Sequence, residues 1–209
     1  MFYSLFKIFV SLIFKLFYPL KVTGLDNLPQ EGAMILVANH SNYFDPLYLG
    51  VVIPRKINWM VLRPFYDLWW LKWLFKATSC FPVNIDKPNI GTIKRALMIL
   101  KQGKVLGIFP EGGRSKDGEL KEGKLGVALL ALISGAPVLP AAIEGAFEAY
   151  PPGAILPKPR IINVNFGKIL TFDRIDKGRI DGKTLRMITK QIMKSIERLI
   201  GDLKRGGRG

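Results

Sequence analysis

Several things are scarce in this sequence, and each scarcity excludes something. Among 209 residues there is one histidine and one cysteine, so no intrachain disulfide can form and no His/Cys zinc site can be built. The cysteine, Cys80, lies in Ser79-Cys80-Phe81-Pro82, the setting of an ordinary buried thiol, and fits a reducing intracellular compartment. No Gly-x-Ser-x-Gly elbow, HExxH pair or dinucleotide fingerprint occurs. Gly118–Lys124 matches most of a P-loop, but Leu125 stands where Ser or Thr should hold magnesium, and no strand pattern leads directly into Gly118. Acidic residues are few, 16 against 31 Lys and Arg, leaving a formal charge of +15. Such a balance calls for an anionic partner: nucleic acid, an anionic bilayer or a phosphorylated substrate. Long uncharged runs are missing too. A spanning helix needs about 20 apolar residues, and although 49% of the chain is hydrophobic, no stretch reads as a plain span.

What is present begins with two aromatic-rich segments. Residues 1–20 carry five Phe and two Tyr and stop at Pro19. Lys7 and Lys15 interrupt them about two helical turns apart, on nearly one face. This pattern predicts a helix lying in a membrane interface, lysines toward headgroups and aromatics toward acyl chains. A signal peptide and a short span with snorkelling lysines are the alternatives; against the first, no small-residue cleavage site follows. Residues 59–76 hold all four tryptophans, Trp59, Trp69, Trp70 and Trp73, interleaved with Arg63, Lys72 and Lys76. Trp and Lys together prefer the headgroup level of a bilayer, which predicts a second membrane-facing element. The alternative is a core helix, but adjacent Trp69 and Trp70 cannot share one buried helix face.

Between these segments the pattern alternates between strand and helix. Ala33–Ala38, Val105–Phe109 and Val138–Ile143 are continuous apolar runs, as expected of strands buried on both faces. Arg160–Phe166 alternates more and is expected nearer an edge. Ile90, Ile93, Leu97 and Leu100 recur at helical spacing before Gly103, residues 124–134 form a second helix before Gly135, and Leu185 to Leu203 mark a long amphipathic helix. The fold class implied is α/β, a mostly parallel central sheet flanked by helices, with an N-terminal membrane-associated helical element. The expected layout is a membrane-associated segment over 1–21, one α/β domain over 22–203, and a basic disordered tail over 204–209.

Two constellations could carry chemistry, and both follow buried strand patterns, where α/β sheets place their ligands. In His40-Ser-Asn-Tyr-Phe-Asp45, a turn could bring the Asp45 carboxylate to the imidazole, fixing its tautomer and freeing the other nitrogen as a base. Equally, Asp45 could cap a helix that Pro46 begins. In Phe109-Pro-Glu-Gly-Gly-Arg-Ser115, Gly112 and Gly113 allow a tight turn and close approach to a ligand. Arg114 and Ser115 can bind phosphate oxygens, and Glu111 could orient Arg114 or a substrate hydroxyl. The competing reading is a polar Gly-rich turn with Arg114 as a solvated charge.

Taken in order, these motifs resemble the first and third motifs of the glycerolipid acyltransferases, the family with an HxxxxD motif. Val22–Pro29 resembles the segment leading into their first strand, and Val138–Ile143 resembles their fourth motif. The likeness runs from about residue 22 to residue 145. Two positions depart from it: Gly113 stands where Thr is usual, and Ile85 stands where the second motif usually ends in Arg, with Lys87 the nearest charge. The resemblance implies acyl transfer from a thioester, acyl-CoA or acyl-carrier protein, to the free hydroxyl of lysophosphatidic acid. His40 would be the general base and Asp45 its orienter. Glu111, Gly112, Gly113, Arg114 and Ser115 would hold the acceptor, with Lys87 as a weaker addition. It implies a co-substrate but no cofactor and no metal. It also gives the membrane elements a purpose at the cytoplasmic face, with Lys7, Lys15, Trp69, Trp70, Lys72 and Trp73 as the membrane contacts. Rival readings are another acceptor, such as glycerol-3-phosphate or another lysolipid, and a non-enzymatic lipid-binding protein. A nucleic-acid binder is disfavoured, because the aromatics cluster in membrane-like segments and no such motif is visible.

Overall fold

The structure, a computed structural model, describes residues 2–84 and 90–206. Seven strands form one sheet: β1 (Leu20–Thr23), β2 (Met34–Ala38), β3 (Ile57–Leu62), β4 (Phe81–Val83), β5 (Val105–Ile108), β6 (Val138–Glu144) and β7 (Ile162–Phe166). Their spatial order is β1-β7-β6-β2-β5-β3-β4. Every neighbouring pair is parallel except β6 and β7. The helices are α1 (Phe2–Phe17), α2 (Asp45–Val52), α3 (Arg63–Tyr66), α4 (Trp69–Ala77), α5 (Ile90–Lys101), α6 (Gly126–Ser134), α7 (Ala146–Ala149) and α8 (Gly182–Gly206). The sheet is thus mostly parallel and flanked by helices, as the alternating pattern predicts.

β2 sits at the centre because it can face water on neither side. All five of its residues are buried, and successive side chains point to opposite faces. Met34, Leu36 and Ala38 enter a core shared with α1 and α2, whereas Ile35 and Val37 enter a second core shared with α5, α6 and α8. β7 buries every second residue, consistent with its alternating sequence, but β1 covers its outer edge. β1 escapes sequence reading because four residues between Pro19 and Gly24 are too few to show a period.

The N-terminal helix is apolar on two sides. Val10 and Phe14 of α1, and Tyr18 after it, are buried in the first core, and the Phe14 ring lies 4.7 Å from that of Tyr48 on α2. Leu5, Ile8, Phe9, Leu12, Ile13, Leu16 and Phe17 recur at spacings of three and four and are all exposed, forming a second apolar stripe. The described part of this segment, residues 2–21, is therefore packed into the α/β domain as one of its layers. The lysines do not behave alike. Lys15 is exposed, but Lys7 turns inward and its Nζ donates to the Ile53 carbonyl at 2.6 Å, at the carboxyl end of α2, where a cation complements the unpaired carbonyls. Desolvation lowers its pKa. The two lysines, expected on one outward face, thus part company: Lys15 is exposed and Lys7 is engaged within the domain.

The tryptophan segment divides in two. Trp59 belongs to β3 and is 6% exposed, so it is part of the core and not of a membrane-facing element. Its ring lies over Gly107 of β5, where an added Cβ would come within 2.4 Å of the indole; only glycine leaves room for that approach. Trp69 (85% exposed), Trp70 and Trp73 on α4 stand in solvent, with Phe65 and Leu68 just before them. No described helix is long and apolar enough to cross a membrane. At the other end of the chain, α8 runs to Gly206, three residues into the stretch expected to be a disordered tail. Lys204 and Arg205 in its last turn suit the negative end of the helix dipole, and Arg205 pairs with Asp202 at 2.6 Å.

Candidate active site

Val37 of β2 pairs with Ile108 of β5. The two chains therefore leave the sheet side by side, and His40 and Glu111, each three residues further on, emerge at the same carboxyl edge. The first loop is built around Asp45. Its Oδ2 accepts the His40 Nδ1 proton at 2.8 Å and the backbone N–H groups of Ser41 and Asn42 at 2.8 Å each. Asp45 is fully buried. It is the first residue of α2, with Phe44 as N-cap and no side-chain cap bond. The carboxylate thus turns back onto the histidine loop, which decides between the two readings of this residue. A carboxylate only accepts, so Nδ1 carries the hydrogen, and in the neutral ring Nε2 is then the nitrogen with the lone pair. Among the described residues no hydrogen bond engages Nε2.

Two asparagines that sequence reading passed over fix this loop. Asn39 exchanges two 2.8 Å hydrogen bonds with the backbone of Ile143 on β6. Asn42 donates to the Ala146 carbonyl and accepts from the Phe44 N–H. Both are buried. A signal was available: a polar amide on each side of a histidine after a fully buried strand must find partners inside the protein.

The second loop holds His40 from the other side. Glu111 is 4% exposed; its Oε1 accepts the His40 backbone N–H at 2.6 Å and its Oε2 the Lys121 N–H at 3.0 Å. Burial pushes the Glu111 carboxyl upward in pKa, and these two N–H groups oppose that. The Ser115 N–H donates to the His40 carbonyl at 2.7 Å, and its hydroxyl donates to Asp117 at 2.7 Å, which lowers the Asp117 pKa. Phe109 stacks on the imidazole at 4.0 Å, and Trp59 stacks on Phe109 at 4.9 Å. Glu111, expected at the substrate, has both carboxylate oxygens on backbone N–H groups, and Ser115 meets His40 through its backbone while its hydroxyl bonds Asp117. Neither ring is expected beside His40 from the sequence: Phe109 reads as the end of a buried strand run leading into the Gly-rich motif, and Trp59 as part of the membrane-facing segment.

Gly112 and Gly113 form the turn itself. Gly112 has φ +74°, a left-handed conformation that favours glycine. Gly113 is open: an added Cβ would meet nothing nearer than Lys121 Nζ at 4.0 Å. Lys121 donates from Nζ to the Gly113 and Arg114 carbonyls at 2.6 and 2.9 Å, a tether with no counterpart in the sequence pattern. Arg114 is half-buried, and its guanidinium carbon lies 3.3 Å over the centre of the Tyr43 ring. Arg114 and His40 are therefore brought to one edge. Lys87 lies outside the described residues. Trp69, Trp70, Lys72 and Trp73 lie on α4, away from the histidine loop in sequence but joined to it through Phe65, whose ring meets Tyr43 edge-on at 6.1 Å. Among the described residues, no group of three or more His, Cys, Asp or Glu side chains could hold a metal.

The chain is similar to the 1-acyl-sn-glycerol-3-phosphate acyltransferase of Bacillus subtilis, 34% identical over 127 residues, which are 60% of this chain and 62% of that protein. It is 27% identical over 151 residues to a chloroplastic 1-acyl-sn-glycerol-3-phosphate acyltransferase of Arabidopsis thaliana, covering 71% of this chain and 42% of that one. The similarity thus spans less than two thirds of either relative. The crystal structure of the 1-acyl-sn-glycerophosphate acyltransferase PlsC from Thermotoga maritima superposes with a TM-score of 0.76 at 22% identity, over 94% of this chain and 79% of that one, and so shares the fold. The acyltransferase family model matches residues 19–144, a span that begins just before β1, ends with β6 and includes both loops, so the chain belongs to the acyltransferase family.

Proposed function

We propose that this protein transfers an acyl group from a thioester donor, acyl-CoA or acyl-carrier protein, to the free sn-2 hydroxyl of lysophosphatidic acid, forming phosphatidic acid at the cytosolic surface of a membrane. The observation that carries the reading is His40, held by Asp45 at one ring nitrogen and unbonded at the other. In this scheme Nε2 takes the proton of the acceptor hydroxyl as its oxygen attacks the thioester carbonyl carbon. Asp45 stabilises the imidazolium that forms. The tetrahedral intermediate collapses with cleavage of the C–S bond, and the departing thiolate receives the proton. A thiolate leaves readily, so no acyl-enzyme is required. Positioned general-base help of this kind contributes roughly 10²–10⁴-fold. Arg114 takes the acceptor phosphate, for which a guanidinium offers two parallel donors.

The surface around the site supports action on a lipid. The histidine loop is bracketed by the two apolar elements, α1 through the Tyr18–Phe44 ring contact at 6.4 Å and α3 through Phe65–Tyr43 at 6.1 Å. The seven-residue stripe of α1 and the tryptophans of α4 are exposed and would enter the interface, where basic residues add about 1 kcal/mol each on anionic lipid. Both relatives are named for the same acyl transfer.

The test is an acyl-transfer assay on anionic vesicles, offering lysophosphatidic acid, glycerol-3-phosphate, a lysophospholipid and monoacylglycerol with each donor. Lysophosphatidic acid is expected to turn over fastest. Preference for any other acceptor, or no turnover with any, overturns the reading. For the membrane claim, Leu12→Glu with Leu16→Glu should cut vesicle binding while leaving the melting temperature nearly unchanged; undiminished binding would remove α1 from the docking surface.

A further inference from the structure

We propose that Tyr43 is a positioning residue for the acceptor, holding the Arg114 guanidinium flat through its ring face so that the phosphate meets a pre-set charge. The inference rests on the reading of Arg114 as the phosphate ligand. Arginine on a Gly-rich turn, with only backbone beneath it, would sample many rotamers; ordering so long a side chain costs up to about 2 kcal/mol. Here the guanidinium lies 3.3 Å over the Tyr43 ring centre, far inside the roughly 6 Å within which such a cation–ring contact acts. Stacking uses the face of the guanidinium and leaves its N–H edge for a phosphate.

The ring is itself held. Tyr43 lies between Asn42, whose side chain is bonded to the Ala146 carbonyl, and Phe44, whose N–H is bonded to Asn42 Oδ1, so the backbone on both sides is fixed. Phe65 meets the ring edge-on. On the other partner, Lys121 pins the Gly113 and Arg114 carbonyls. Both components of the contact therefore start from anchored backbone, and the contact joins the tip of the histidine loop to the phosphate-binding residue. Tyr43 occupies one of the four unspecified places between His40 and Asp45 of the HxxxxD motif, which is why the motif alone assigns it nothing.

The test compares three variants with lysophosphatidic acid and with monoacylglycerol, which has the hydroxyl but no phosphate. Arg114→Ala checks the underlying reading: it should raise KM for lysophosphatidic acid and not for monoacylglycerol. If it does not, the phosphate assignment has failed and Tyr43 loses its proposed role with it. Given that first result, Tyr43→Leu should raise KM for lysophosphatidic acid by about 2- to 30-fold. Its kcat, donor KM and monoacylglycerol KM should stay near the parent values. Tyr43→Phe, which restores the ring face without the hydroxyl, should bring KM back. Tyr43→Leu with Arg114→Ala should be no worse than Arg114→Ala alone, because the two act as one unit. Equal loss on both acceptors, failure of Phe to rescue, or full additivity in the double variant would each overturn the proposal.

Discussion

The two loops at the carboxyl edge are built on opposite plans. In His40–Asp45 the polar side chains that matter are buried and bonded: Asp45 gathers three donors on one oxygen, and Asn42 ties the loop to Ala146. In Phe109–Ser115 the turn is glycine-rich, Arg114 is half-exposed, and Gly113 faces open space. Yet the second loop is also the clamp of the first, through Glu111, Ser115 and Phe109. The contrast separates two tasks. In the proposed scheme His40 transfers a proton and must be held within a fraction of an ångström, which suits a loop whose Asn39, Asn42 and Asp45 are buried and bonded. A phosphate contact, the part proposed for Arg114, tolerates more play, so a loop anchored at its Glu111 root can be adaptable at its Arg114 tip.

Substitutions can break this division at graded depths. His40→Ala should have the largest effect, a fall in kcat of roughly 10²–10⁴-fold with an unchanged circular dichroism spectrum; a variant that turns over like the parent would remove the general base. Glu111→Ala comes next. It leaves two backbone N–H groups without their partner and should cost about 1–3 kcal/mol in denaturant unfolding, with kcat reduced more than KM. A change confined to acceptor KM would mean that Glu111 serves substrate and not His40. Arg114→Ala should act in the reverse sense, raising acceptor KM roughly 10- to 100-fold, the worth of a charged hydrogen bond, with kcat nearly constant. Gly113→Thr should do least. The added Cβ has room, so stability should stay within about 0.5 kcal/mol; a marked loss on unfolding would show that the open position is needed.

How much of this could be read from the chain depends on the physical signal. The buried strands announced themselves, since five apolar residues without a charge at 34–38 admit few other fates. His40 and Asp45 were legible as a pair, but a helix cap explained Asp45 equally well until its carboxylate was seen to turn backward. The clamp was not legible: nothing in Pro-Glu-Gly-Gly-Arg-Ser says that Glu111 will spend both oxygens on backbone N–H groups from residues 40 and 121. Trp59 was misplaced because four tryptophans in eighteen residues look like one element, whereas the space left by Gly107, on a strand almost fifty residues later, draws one of them into the core. Lys7 was misjudged for a similar reason. Its partner, the Ile53 carbonyl, lies at a helix end that periodicity in residues 1–20 cannot foresee.

The double character of α1 has a bearing on how the protein must be handled and made. Val10, Phe14 and Tyr18 close the first core, so the helix cannot be trimmed away to yield a better-behaved catalytic fragment; removing it would open the sheet. Kept in place, it presents seven apolar side chains to water, a patch of the kind that drives self-association when no other surface covers it. Concentrated in plain buffer, the protein should associate through this helix, and detergent or lipid should disperse it. Solubility and lipid contact are therefore two outcomes of one stripe of residues, and a substitution that improves the first is expected to weaken the second.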